Sequence, residues 1–178
     1  MKKSYTVKAV FFDRDGVLNR ALKSAGKPLA PLKFKDFKLY KNLEKYISKL
    51  KYKNFLTFVV TNQPDFFRKN KKELVLMHKK LLSKMDVDRI FICYQKSDLS
   101  CNKKPNVGLV RKIIKEKKIN LHQSFVVGDR WRDVDFAFNL NCKSIFIDRN
   151  YKEKLKKKPN YTCYSTIEAI KKILSESN

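Results

Sequence analysis

The sequence predicts an α/β fold built on a parallel sheet with helices on both faces. Two observations lead there. Short, nearly continuous apolar runs alternate with amphipathic stretches, the pattern of strands buried on both faces and joined by crossover helices. Most of those runs also end in polar or ionisable residues, as expected where ligands bind beyond the carboxyl ends of parallel strands.

In chain order, VKAVFF (7–12) reads as a strand and KNLEKYISKL (41–50) as a helix. FLTFVVT (55–61) is the next strand and KKELVLMHKKLLSKM (71–85) the next helix. The alternation continues through RIFICY (89–94), VGLVRKIIKEKK (107–118), SFVVGD (124–129), DVDFAFNL (133–140) and SIFID (144–148). STIEAIKKIL places Ser165 and Glu168 at capping-box spacing, a helix start. Residues 20–40 and 150–160 read as loops, and the first of these is too short for a large cap domain. With no repeat or low-complexity linker, residues 1–178 are expected to form a single domain.

A composition that is 43% hydrophobic excludes disorder despite a net charge of +25, from 42 Lys and Arg against 17 Asp and Glu. The lysines are scattered among Asn, Ile, Phe and Tyr rather than gathered into a polyanion groove, so nucleic acid is not the expected partner. The opening MKKSYTVKAVFFDRD breaks its apolar run at Asp13, unlike a signal peptide, and no window approaches a membrane span. A cytoplasmic protein is expected, with Cys93, Cys101, Cys142 and Cys163 as reduced thiols and no obligate protein partner indicated.

Four clusters then share one rim of the sheet. FFDRDGVLN carries Asp13 and Asp15, two apart and able to face the same way as a strand ends. That pair suits a metal and a divided acid/base task, but also a surface Asp-Gly turn. The spacing is not that of a calcium loop, and glycines 16, 26, 108 and 128 are too far apart for a nucleotide loop. FVVTNQ supplies Thr61 and Asn62, KKP supplies Lys103 and Lys104, and VVGDRWRD supplies Asp129 and Asp133. Singly, these also read as a turn hydroxyl, a solvated lysine before a helix, and helix caps.

Together, D-x-D-G, T, K and G-D-x-x-x-D resemble the four motifs of the haloacid dehalogenase superfamily of aspartate-nucleophile phosphohydrolases, over residues 7–148. The resemblance implies a three-layer, Rossmann-like parallel sheet without a large cap. The strings DRDGVLN, VVTNQ and VGDRWRD are similar to the small subfamily that includes D-glycero-D-manno-heptose-1,7-bisphosphate 7-phosphatase and histidinol-phosphate phosphatase, with Val-Leu-Asn favouring the heptose branch. By that resemblance Asp13 is the nucleophile, Asp15 the general acid and then base, and Thr61 and Lys104 hold the phosphoryl oxygens. Mg²⁺ is expected on Asp13, Asp129 and the backbone carbonyl of Asp15, with Asp133 supporting that shell rather than ligating. Asn62, Lys103 and Arg130 match substrate-contacting positions, although Lys103 stands where the branch has an arginine and offers no planar fork. The expected substrate is a small phosphorylated sugar. A 3'-phosphorylated polynucleotide and histidinol phosphate are the alternatives.

The heptose branch also binds a structural zinc before this lysine pair, through a pattern resembling C-x-H, a spacer, then C-x-C-R-K-P. Here Cys93 remains, but Gln95, Ser100 and Asn102 stand at the other ligand positions and Cys101 is displaced by one. A closed tetrahedral site needs four ligands, so a loop without structural zinc is expected. Cys142 and Cys163 read as small core residues. His78 and His122 are assigned no role.

Overall fold

The computed structural model describes residues 7–66 and 70–177. Six parallel strands form one sheet: β1 (Lys8–Phe12), β4 (Phe55–Asn62), β5 (Arg89–Cys93), β6 (Phe125–Gly128), β7 (Lys143–Ile147) and β8 (Tyr161–Cys163). Their spatial order is β5-β4-β1-β6-β7-β8. The chain therefore winds one way from β1 through β4 to β5, then returns to the other side of β1 for β6, β7 and β8. The order reverses at β1, and a crevice opens beyond the carboxyl end of a strand at such a point.

Alternation of side chains divides the sheet's apolar residues between two cores. Val10, Phe12, Val59 and Val127 face one side, where helices α1 (Leu43–Tyr52), α2 (Lys71–Leu82) and α5 (Thr166–Ser175) contribute Ile47, Met77 and Ile170. Ala9, Phe11, Phe58 and Val126 face the other, against Val110 of α3 (Gly108–Glu116) and Phe136 of α4 (Trp131–Leu140). Phe11 meets Phe58 at 5.5 Å between ring centroids and Phe136 edge-on at 6.4 Å. Each such fully buried side chain contributes roughly 1.5–3 kcal/mol by leaving water, which is what holds the three layers together.

Register brings the strand ends level. Phe12 pairs with Val59 on one side and Val127 on the other, so Asp13 leaves β1 beside the last residues of β4 and β6. The terminal helix begins as the sequence implies: the Ser165 side chain accepts from Glu168 N at 3.1 Å, and Glu168 Oε2 accepts from Tyr164 N.

Two parts of the chain differ from expectation. Residues 20–40, read as loop, contain an antiparallel hairpin of β2 (Leu22–Ser24) and β3 (Lys27–Leu29) and a short turn of 3₁₀ helix at Phe34–Asp36. Strands of three residues carry too little alternation to register as a pattern. The same brevity hid β8. Among the described residues, no helix is long and apolar enough to cross a membrane.

Candidate active site

Glycine makes the first turn of the site possible. Gly16 has φ +84°, and a Cβ there would lie 1.7 Å from Asp129 Oδ2, so a side chain at this position would collide with a carboxylate from the next loop. Gly128 plays the same part after β6, where a Cβ would lie 2.0 Å from that of Asp133. These close approaches let two loops stack their carboxylates at the switch point. Asp13, Asp129 and Asp133 each offer an oxygen within 4.8 Å of the others.

Lys104 enters this cluster from the loop after β5. It is 4% exposed, with Nζ 2.7 Å from Asp13 Oδ1 and 2.6 Å from Asp133 Oδ1, and so is not a solvated lysine. Burial works against its ammonium, yet the two carboxylates outweigh burial and hold its pKa above the ordinary lysine value. Asn62 fixes the backbone that delivers it, accepting from Lys104 N at 3.1 Å and donating to Lys104 O at 3.2 Å.

Three carboxylates still outnumber one ammonium. Burial, reinforced by Asp133 and Asp15 and opposed by Lys104, pushes Asp13 up to about 6. Asp129 is also raised well above the usual carboxylate range, by burial and by Asp13 and Asp133. It is 1% exposed, and the Tyr151 hydroxyl and Lys104 offset that burial only in part. Three buried or half-buried carboxylates gathered in a hard, all-oxygen donor set suit a divalent cation of the Mg²⁺ kind, which would neutralise the excess charge.

Asp15 faces a different set of partners. Its two oxygens accept from Nε and Nη2 of Arg14 at 2.9–3.2 Å, from Asn19 Nδ2 at 2.9 Å and from Gln63 Nε2 at 2.6 Å. Gln63 also donates to Thr61 Oγ1 at 2.8 Å, tying the acid to the end of β4. Arg14 is wholly buried, with its guanidinium 5.5 Å from the Phe37 ring centroid and Nη1 3.1 Å from Nε2 of His78. His78, taken from sequence to lie away from the rim, thus reaches it through Arg14. Burial and the adjacent Arg14 charge push the His78 pKa down to about 4, so its ring is neutral at pH 7.

Asp13, Asp15, Thr61, Asn62, Lys103, Lys104, Arg130 and Asp133 all border one cavity of about 230 Å³; Asp129 does not line it but stands in the same carboxylate cluster as Asp13 and Asp133. The hairpin lends Pro28 and Leu29 to its wall. Asp133, expected as a helix cap or as a support of the metal shell, has two partners: Oδ1 takes Lys104, and Oδ2 accepts from Arg130 N at the start of α4. Arg14, Gln63, Asp98 and Arg132 were missed. Gln63 adjoins the threonine motif and Arg14 lies between the two aspartates, so proximity was their one signal.

Before the lysines, the four positions compared with zinc ligands form a hydrogen-bonded knot. Ser100 Oγ donates to Gln95 Oε1, Cys93 Sγ lies 4.0 Å from the same oxygen, and Asn102 N donates to Ser100 Oγ. Cys93 is buried and Cys101 exposed. One thiol, two amides and a hydroxyl do not fit a tetrahedral zinc centre. Cys142 and Cys163 are buried in the core.

Fold and site together define an α/β enzyme that sets carboxylates and a buried lysine at the switch point of a parallel sheet. The profile of the haloacid dehalogenase-like hydrolases matches residues 18–147, and the chain belongs to that family. It is 32% identical over 156 residues to the histidine biosynthesis bifunctional protein HisB of Blochmanniella floridana, covering 78% of this chain and 40% of that protein. The chain thus spans about two fifths of that relative's length. It is 28% identical over 148 residues to the probable D-glycero-D-manno-heptose-1,7-bisphosphate 7-phosphatase of Thermoplasma volcanium, covering 79% of this chain and 97% of that one. In fold it is similar to the D,D-heptose 1,7-bisphosphate phosphatase from B. bronchiseptica, crystallised with magnesium and phosphate. That match has a TM-score of 0.77 and 23% identity, and covers 96% of this chain and 99% of the other.

Proposed function

We propose that this hydrolase is a metal-dependent phosphatase acting on a small sugar phosphate, D-glycero-D-manno-heptose 1,7-bisphosphate being the favoured substrate. The observation that carries this reading is the buried Lys104 bridging Asp13 and Asp133 beside the buried Asp129 carboxylate. The heptose phosphatase named among the relatives supports the choice of sugar.

In this reading an Asp13 oxygen attacks phosphorus, the ester P–O bond breaks, and the leaving alkoxide takes a proton from Asp15. Asp15 then removes a proton from water as the water oxygen attacks the aspartyl phosphate. Orthophosphate departs and Asp13 is regenerated. Lys104 and Thr61 donate to the phosphoryl oxygens, where fixed donors stabilise developing charge most effectively. Asp13, Asp129 and the Asp15 carbonyl would hold Mg²⁺, which when bound screens the anionic nucleophile from the phosphate dianion. Arg14, Asn19 and Gln63 fix the Asp15 rotamer. Asn62, Lys103 and Arg130 border the space left for the rest of the substrate.

The protein is further proposed to act as one domain in the cytoplasm. The test is a panel of sugar phosphates, histidinol phosphate and 3'-phosphorylated DNA, assayed with Mg²⁺ and with excess EDTA. Turnover should be highest on the heptose bisphosphate and vanish with EDTA. Activity indifferent to EDTA would contradict the metal-dependent mechanism.

A further inference from the structure

The carboxylates of the site are fixed by different means. Lys104 takes Asp13 and Asp133, and Asp15 is tied by Arg14, Asn19 and Gln63. Asp129 meets instead the hydroxyl of Tyr151, in the segment that follows β7, and that hydroxyl's hydrogen bond opposes the effect of burial on the carboxyl. The space beside Gly16 shows how the two converge: a Cβ there would lie 1.7 Å from Asp129 Oδ2 and 3.0 Å from Tyr151 Oη. Burial and the neighbouring Asp129 raise the Tyr151 pKa, so the hydroxyl keeps its proton and remains a donor at neutral pH.

Tyr151 is itself held from two directions. Lys23 of β2 lies over its ring, with Nζ 5.3 Å from the centroid, and donates to Arg149 O at 3.0 Å. Lys152 N donates to Gly26 O at 3.0 Å, and Glu153 N to Tyr151 O at 2.8 Å. Arg149 Nε reaches the other way, to Gly16 O at 2.9 Å. The segment is thus stitched both to the hairpin and to the turn after β1. Tyr151 and Asp129 line a second cavity, of about 230 Å³, whose wall includes Asp148, Asn150 and Glu153 and shares no residue with the first. Tyr151 therefore stands outside the space left for a substrate.

We infer that Tyr151 is a positioning residue: it sets the Asp129 carboxylate in the orientation that a divalent cation requires, and so governs how tightly and how selectively the site takes Mg²⁺. This rests on the metal-dependent reading proposed above. A carboxylate fixed before the ion arrives loses less rotamer freedom on binding it. The demand also differs between ions. Mg²⁺ needs near-ideal octahedral geometry, whereas Ca²⁺ accepts about six to eight oxygens in flexible arrangements. Loss of the hydroxyl therefore weakens Mg²⁺ more than Ca²⁺, which a general loosening of the fold would not do.

The test is calorimetric titration of Mg²⁺ or Ca²⁺ into substrate-free protein that has been stripped with EDTA and dialysed, with the melting temperature in EDTA as a check on folding. Tyr151→Phe removes the hydroxyl and keeps the ring beneath Lys23. It should lower Mg²⁺ affinity by about 10–100-fold, the usual cost of removing a partner that orients a metal ligand, and Ca²⁺ affinity by less. At saturating Mg²⁺ its KM for heptose 1,7-bisphosphate should match that of the wild type, and kcat should recover as Mg²⁺ is raised. Lys23→Met, which frees the ring without removing the hydroxyl, should shift Mg²⁺ affinity in the same direction by a smaller factor. Equal Mg²⁺ affinities in Tyr151→Phe and wild type, or equal losses for Mg²⁺ and Ca²⁺, would overturn the positioning role and leave the phosphatase reading standing. Wild-type protein that binds neither ion would sink the metal-dependent reading, and the positioning role with it.

Discussion

Removing the charge of Lys104 leaves Asp13, Asp129 and Asp133 facing one another without compensation. Lys104→Met should abolish turnover and, in EDTA, lower stability by about 3–5 kcal/mol, the usual penalty for stranding a buried charge. Mg²⁺ binds only the folded site, so it should restore part of that loss in thermal denaturation. Equal melting temperatures with EDTA and Mg²⁺ would count against a cation site there. His78 gives a separate expectation through pH. Its folded pKa is depressed from 6.5 to about 4, so its stabilising contribution is present above 6.5 and is lost as pH falls through that window. His78→Gln should flatten the stability profile between those values, where one proton changes stability by at most about 1.4 kcal/mol per pH unit. Profiles that superimpose would show that His78 is not held neutral. Asp13, Asp15, Lys104 and Asp129 were legible because motif spacing and strand ends coincide. Arg14 and His78 were not, since only tertiary packing brings α2 beneath the first turn.

At the scale of elements, the loop between β5 and α3 is ordered without a metal-ligand set. Gln95 and Ser100 link where the compared pattern has metal ligands, and Asn106 Nδ2 donates to Ser100 O at 2.8 Å. Elemental analysis of protein purified without added metal should find far less than one zinc per chain, because structural zinc demands four ligands. Near-stoichiometric zinc bound through Cys93 and Cys101 would refute this. The substituted ligands were readable directly from the sequence, but the ion pairs of Lys103 and Arg132 with Asp98 were not, because they depend on how the loop folds back over α4. The long strands and helices were placed from hydrophobic periodicity, with ends shifted by a few residues. The hairpin at 22–29 escaped because it has mostly exposed side chains and no buried face to impose a period.

For the molecule as a whole, a parallel sheet with two apolar faces follows from alternation of strands and helices, which is why the fold class was legible before any contact was known, whereas the strand order was not. Net charge was less informative: +25 describes the surface without saying where an anion binds. At the site, Lys103, Lys104, Arg130 and Arg132 border one small cavity. Hydrolysis of 3'-phosphorylated DNA should therefore be far less efficient than that of a sugar bisphosphate. Comparable efficiency with a steep salt dependence would indicate backbone contacts instead. The account's central claim is that Asp13 carries the phosphoryl group, and the most direct measurement traps that bond. Protein incubated with Mg²⁺ and ³²P-labelled substrate, quenched in acid and digested, should carry label on the peptide containing Asp13. The label should disappear in Asp13→Asn together with turnover. Turnover persisting in Asp13→Asn, or label residing on another residue, would contradict the account.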